Sequence, residues 1–364
     1  MSEVFGLMAD VHLHEWSAFS STTSEGVNVR LENLLQEIIR CSKEVRRQGG
    51  KKIVIAGDLF HVRGSVAPVV LNLALATFQE ITNLDMEVHI LAGNHDLTGK
   101  KAEELGSAIS ALRAVGCFVY NKTTVLPRFV EGTDLVLIPW VENINDLKNA
   151  IRKVAKSLSA HSMTKTDLIL HAPIDGVIAG LPEHGLTAKW LSDPSFRFRR
   201  VFSGHYHNHK CFEGTGVYSI GALAHHTWSD AGSKAGFLTV SPTEVNWHKS
   251  HAPDFVEITE DTDPDDIPMI VDGNFIKAKI NSFKSQDVEE LRQHFANLGA
   301  KGSIIIQQKD TSVAKREGGS SIKAGASIGV SVEDFIKAKG FENAKELTAL
   351  CQQILLDAVI LKDA

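Results

Sequence analysis

A chain of 364 residues with 43% hydrophobic and 23% charged side chains has room for one large or two unequal globular domains. Its net charge of −6 excludes a protein that coats nucleic acid through bulk positive charge, although a local basic groove stays open to it. The four cysteines, Cys41, Cys117, Cys211 and Cys351, lie far apart and exclude a disulfide framework, and the chain carries no apolar run of about 18 residues. A reduced, cytoplasmic protein without signal peptide or membrane span is therefore expected.

In chain order, Phe5-Gly6-Leu7-Met8-Ala9 reads as a buried strand that runs into Asp10-Val11-His12. A polar loop from His14 to Asn28 follows, long enough to form part of a substrate wall. Leu31, Leu34, Leu35, Ile38, Ile39 and Val45 share one helical face, and Gly49-Gly50 ends that helix. Ile53-Val54-Ile55-Ala56 is a second strand, closed by Gly57-Asp58 with His61 three residues on. A helix from Pro68 to Ile81 precedes the strand Val88 to Ala92 and its sequel Gly93-Asn94-His95-Asp96. A helix from Glu103 to Val115, a strand from Leu135 to Ile138 and a helix from Asn145 to Leu158 come next. Leu168-Ile169-Leu170 then runs into His171, and Val201-Phe202-Ser203 into Gly204-His205-Tyr206-His207. Strands at Val217 and Gly236 follow without long helices between them, so a second sheet packed on the first is expected. The alternation of strands and helices implies a parallel α/β sheet. An acidic, proline-containing stretch near Ser250 to Pro268 marks a boundary between domains at 1–255 and 256–364. Beyond it, a strand (Asn274 to Ile280), a helix (Asp287 to Leu298) and a strand (Gly302 to Gln307) make a small α+β cap. A Gly/Ser/Lys-rich loop from Lys309 to Gly329 and a helix capped by Ser331 and Asp334 complete the chain. An apolar stripe on that helix (Leu347, Leu350, Ile354, Leu355, Ala358) suits docking on its own cap or a partner.

Five strands thus end in Asp, Asn or His. A carboxylate at the mouth of a buried strand is costly unless a cation receives it. In an α/β sheet, ligands bind at the carboxyl ends of the strands. Asp10, His12, Asp58, Asn94, His171, His205 and His207 would meet there, a set of oxygen and imidazole donors large enough for two divalent metal ions. Without thiolates, that set suits Mn, Fe or Zn.

The ordered motifs Asp10-x-His12, Gly57-Asp58, Gly93-Asn94-His95-Asp96, His171 and Gly204-His205-x-His207 resemble the calcineurin-like metallophosphoesterase superfamily. The resemblance implies a four-layer α/β sandwich with a binuclear centre. Asp10, His12, Asp58 and His207 would hold one ion, Asp58, Asn94, His171 and His205 the other, with Asp58 bridging. Gly57-Asp58-Leu59-Phe60-His61, the run Gly232-Ser233-Lys234-Ala235-Gly236-Phe237 and the cap are similar to SbcD-type DNA repair nucleases, in a divergent, phage-type form. His14-Glu15-Trp16 and the inserted Ala235 depart from that pattern. The resemblance implies a Mn-dependent DNA exo/endonuclease, with DNA, a coiled-coil ATPase of the SbcC type and a homodimeric second copy as partners. His95 is expected to touch the phosphate and protonate the leaving oxygen, Asp96 to orient His95, and His61 to seat the DNA backbone or adjust the metal water.

The competing reading is a small-molecule metallophosphatase or cyclic-nucleotide phosphodiesterase. A regulatory scaffold with a dead site is disfavoured, because buried Asp and His are costly to keep without a cation. No P-loop is present, so an ATPase activity would come from another chain. His14, His209, His225 and His226 stand as cleft-lining or solvated residues, and His89 as structural. Lys100, Lys101, Arg197, Arg199 and Arg200 stand as phosphate contacts or a solvated edge.

Overall fold

The computed structural model describes residues 3–98, 107–158, 165–181, 183, 185–196, 198–280 and 285–307, and, further on, 332, 335–337, 339–341 and 343–352. The chain divides into two compact units, Met1–Gln307 and Gln308–Ala364. In the second, residues 344–352 are helical and Leu350 is exposed. The expected Gly/Ser/Lys-rich loop, the Ser331 and Asp334 cap, Ile354, Leu355 and Ala358 lie outside the described residues.

The first unit is built on two six-stranded sheets. In the first sheet β1 (Phe5–Met8), β2 (Lys52–Ala56), β3 (Glu87–Leu91) and β4 (Phe118–Tyr120) run parallel. Helices α1 (Val29–Arg47) and α2 (Pro68–Asn83) cross over between them. Asn28 caps α1, its side chain accepting from the Leu31 N–H, and Pro68 opens α2, where its missing donor costs nothing. The second sheet has the order β5-β6-β7-β8-β10-β9. Here β6 (Thr133–Ile138), β7 (Thr166–His171), β8 (Arg200–Gly204) and β10 (Val217–Ser219) are parallel. β5 (Thr124–Val130) and β9 (Lys210–Phe212) flank them antiparallel. The late strands β11 (Gly236–Val240) and β12 (Val245–Lys249) do not join that sheet. They return to the first, where β11 pairs antiparallel with β1.

The period-2 alternation of these strands produces the layers. Phe5 and Leu7 of β1, Val54 and Ala56 of β2, and Leu135, Leu137, Ile169 and Phe202 of the opposing sheet form one buried cluster between the sheets. Met8, Ile53 and Ile55 point the other way, into a second cluster with Leu31, Leu34 and Ile38 of α1 and Phe78 and Ile81 of α2. Val136, Ile138 and Leu168 pack outward on Leu147, Ile151 and Val154 of α3 (Ile144–Ser157). The result is helix, sheet, sheet, helix: the four-layer α/β sandwich. Of the helix expected over Glu103 to Val115, the described part is a 3₁₀ helix, Ala108–Val115, closed by Gly116 at φ 85°.

A third sheet carries β13 (Phe255–Ile258), β14 (Phe275–Ile280) and β15 (Gly302–Gln307), all parallel with β14 central. The polar loop after His14 reaches this sheet. The Phe19 ring stacks on Phe275 at 5.2 Å, and the guanidinium of buried Arg30 lies over Trp16, Phe255 and Phe275.

Arg199 and Arg200 are not phosphate contacts. Arg199 donates to the buried Asp167 carboxylate at 2.9 and 2.7 Å, and Arg200 at 3.2 and 2.6 Å. These bonds tie β7 to β8. Asp167→Asn leaves two guanidinium groups without their anion and should cost about 3 kcal/mol of unfolding free energy. Urea denaturation checks this, and a loss below about 1 kcal/mol contradicts it. Lys100, Lys101 and Arg197 lie outside the described residues.

Candidate metal centre

The carboxyl ends of β1, β2, β3, β7 and β8 open on one pocket, and the seven donors meet there. Asp10, His12 and His207 present ligand atoms within 4.8 Å of one another, as do Asp58, His171 and His205. His12 Nε2 lies 3.8 Å from Asp58 Oδ2, and His171 Nε2 lies 3.3 Å from the same oxygen. His171 Nε2 and His205 Nδ1 each stand 3.1 Å from Asn94 Oδ1.

The backbone is bent to hold these groups. Asp10 (φ 49°), His12 (φ 48°), Asp58 (φ 53°) and His205 (φ 105°) all adopt the left-handed region that side chains avoid, at a cost of order 1 kcal/mol each. Cross-bracing keeps them there. The Asp10 carboxylate accepts the His205 N–H at 3.1 and 2.9 Å, and Asp58 Oδ1 accepts the His95 N–H at 2.8 Å. Asp10 N–H donates to the Gly57 carbonyl, and His12 N–H to the Asp58 carbonyl. Two glycines are required by close approach: a Cβ at Gly93 would stand 2.2 Å from Asp58 Oδ1, and one at Gly204 2.5 Å from the Ala56 carbonyl.

A further ring of groups fixes the imidazoles. His171 Nδ1 donates to the Ala56 carbonyl at 2.8 Å, which turns Nε2 to the pocket. His207 Nδ1 donates to Asp230 Oδ1 at 2.7 Å, and Asp230 Oδ2 accepts the N–H groups of His226 and Thr227. His226, buried, donates through Nε2 to the Asp10 carbonyl at 2.9 Å. The Trp140 ring stacks on His205 at 5.1 Å. Asp230 and Trp140 escaped the sequence reading. Asp230 had a signal, because Thr227-Trp228-Ser229-Asp230 is a capping box. Asp230→Ala frees the His207 ring and should weaken Mn binding about 10- to 100-fold, read by titration calorimetry; unchanged affinity contradicts this role.

His95 and His61 sit beside this set. Their rings stack at 5.5 Å, and together with His12 they form a third group of nitrogens within 4.8 Å. His95 Nδ1 donates to the His61 carbonyl at 2.5 Å. The bond expected between Asp96 and His95 is replaced by this one. Asp96 is buried beneath the loop and accepts the N–H groups of Gly93 (2.9 Å), Phe60 (3.1 Å) and Leu59 (3.4 Å), so it shapes the loop rather than the ring. Of the other histidines, His225 and His226 are buried, and His14 lies 5.1 Å from His61. His209 stacks on Trp247, and His89 bonds Tyr120 within the sheet.

Burial dominates the charges. It pushes Asp10 up to about 6 and Asp96 up to about 7, and it holds His205 and His226 down to about 3 and His12 well below its ordinary value. Burial also opposes the charged forms of Asp58 and His171, yet their mutual attraction wins: Asp58 falls below the usual carboxylate range and His171 rises to about 9. The His171 proton therefore stands among Asp58, Asn94 and Asp10, where a divalent cation would take its place. Neutral imidazoles, carboxylates and an amide oxygen in one water-poor pocket fit a binuclear metal centre.

This fold and this donor set have a family. The calcineurin-like phosphoesterase profile matches residues 4–209, and the chain belongs to that family of binuclear metallophosphoesterases. Among its relatives, exonuclease subunit 1 of Enterobacteria phage T4 is 23% identical over 257 residues, 66% of this chain and 70% of that protein. The DNA double-strand break repair protein Mre11 of Methanopyrus kandleri is 34% identical over 110 residues, 30% of this chain and 22% of that protein. A solved structure, a dimetal phosphatase from Danio rerio, aligns with TM-score 0.37 and 13% identity over 68% of this chain and 99% of that one.

Proposed function

We propose that this phosphoesterase is a metal-dependent DNA nuclease of the SbcD type that hydrolyses phosphodiester bonds in DNA repair, recombination or phage DNA metabolism. The observation that carries the reading is the convergence of all seven donors at five strand ends, in a chain whose relatives include an exonuclease subunit and a DNA repair protein. Asp10, His12, Asp58 and His207 would hold one ion and Asp58, Asn94, His171 and His205 the other, with Mn²⁺ as the ion of first choice. Two such ions supply positive charge to the phosphoryl oxygens and lower the pKa of water at the centre.

The chain's own groups then do the rest. Asp58 stands between both groups of donors and keeps them in one register. His95, with Nδ1 held by the His61 carbonyl, has the tautomer that leaves Nε2 for the substrate, where it contacts the phosphate and protonates the leaving oxygen. His61, half-buried and pushed down to about 4 chiefly by burial, is neutral and 3.4 Å from the His12 ring nitrogen, a place from which it steadies that ligand. Asp96 holds the loop that carries His95. The phage relative is by name a subunit, which supports a partner for this chain: a coiled-coil ATPase of the SbcC type, with a homodimer as the working form in the cytoplasm. No described helix is long and apolar enough to cross a membrane.

Salt separates this reading from a small-molecule phosphoesterase. Between about 50 and 200 mM salt, cleavage of duplex DNA should weaken by orders of magnitude while hydrolysis of bis-p-nitrophenyl phosphate changes little. Equal salt dependence, or hydrolysis of the small diester alone, favours the small-molecule reading.

A further inference from the structure

A cavity of about 480 Å³ opens beside the metal centre and shares two walls with it, His205 and His207. Between those histidines in the chain stands Tyr206, half-buried, which lines the cavity with Val177 and Ile178 from the segment after β7. Its volume falls in the range of sites that hold small molecules, about 300–1,000 Å³. The lining has a consistent chemistry. Among the described lining residues none is lysine or arginine, so the space is unsuited to a phosphate. The one carboxylate, Asp230, is committed to His207 and to the N–H groups of His226 and Thr227. What remains is an apolar and aromatic surface: buried Val177, Ile178 with 42% of its surface exposed, and the Tyr206 ring. At its rim Asn208 uses its Oδ1 to accept the Lys234 N–H, which leaves the amide N–H groups as donors.

A phosphate diester held at His205 and His207 must place one of its neighbouring groups over this wall. We propose that the cavity receives an unpaired nucleobase of the substrate strand, next to the scissile phosphate, with Tyr206 as its stacking partner and Ile178 as the opposite apolar contact. The proposal rests on the nuclease reading and narrows it. A base inside a duplex is paired and stacked and cannot enter, so the strand must fray or arrive single-stranded. An aromatic platform accepts any base, so the site selects unpaired nucleotides without selecting sequence.

The test is equilibrium binding, measured by titration calorimetry on the full chain with Mn²⁺. The probes are thymidine 5′-monophosphate and 2-deoxyribose 5-phosphate, which differ only by the base. The nucleotide should bind about tenfold tighter or more. Tyr206→Phe should keep that preference, whereas Tyr206→Ala and Ile178→Asp should erase it and leave the affinity for the sugar phosphate unchanged. Ile178 lies away from the metal donors in the chain, so its variant separates loss of the base contact from damage to the ligands. Equal affinity of the two probes in the unaltered chain overturns the base site, as does a preference that survives both Tyr206→Ala and Ile178→Asp. Cleavage of duplex DNA by the same preparation is read separately. DNA cleavage without any base preference overturns the cavity proposal alone. A base preference without DNA cleavage supports the cavity and refutes the DNA substrate.

Discussion

Asp58→Asn should lower phosphodiester hydrolysis by at least about 10³-fold and reduce bound Mn²⁺ below two ions per chain. Asn keeps the shape of the side chain and one oxygen, so the His95 N–H retains an acceptor. What disappears is the negative charge shared by the two groups of donors. His12 and His171 both face Asp58 Oδ2, at 3.8 and 3.3 Å, and no other carboxylate oxygen reaches the midpoint between them so closely. Charge that is organised before the reaction is the largest single contribution in sites of this kind, and loss of one element of it costs factors of 10² to 10³ elsewhere. The measurement is metal content by mass spectrometry beside turnover of bis-p-nitrophenyl phosphate. Full metal content with wild-type turnover would show that Asp58 is not the bridge.

His95→Ala should be the complementary case: turnover falls about 10²- to 10⁴-fold while metal content stays near wild type. The ring is held by a backbone carbonyl, His61 O, and its own N–H holds Asp58 Oδ1. The substitution removes the first bond and leaves the second, because the second belongs to the main chain. Loss of metal in His95→Ala would make the ring a ligand and end its role as proton donor. A substrate with a good leaving group sharpens the test. p-Nitrophenolate needs little protonation, so the variant should be less impaired on that ester than on DNA.

How much of this was legible follows from where the information sits in the chain. The donors could be read because each follows directly on an apolar run: Ala56 to Asp58, Leu91 to Asn94, Leu170 to His171 and Ser203 to His205 are a few residues apart. The four layers could be read from α1, α2, β1, β2 and β3, whose apolar periods are clean. The edges could not. β5 alternates exposed and partly buried residues and contains Pro127, which an edge strand tolerates. β13 lies inside the acidic stretch that reads as a linker. β11 pairs with β1 across more than two hundred residues of sequence, a partnership no local pattern encodes. The same limit hid the outer groups of the site. Arg199 and Arg200 look like a basic rim until Asp167, on the neighbouring strand, claims both. Asp96 looks like a partner for the adjacent His95 until the loop folds and three N–H groups turn toward its carboxylate.

The measurement that bears most directly on the account is cleavage of end-labelled linear duplex DNA by the purified chain with Mn²⁺, with Asp58→Asn alongside and bis-p-nitrophenyl phosphate as a parallel substrate. The account predicts that DNA and the small diester are both hydrolysed, that chelation stops both, and that the variant does neither. Hydrolysis of the small diester with intact DNA at every salt concentration would contradict the nuclease function. DNA cleavage that persists in Asp58→Asn would contradict the metal centre itself.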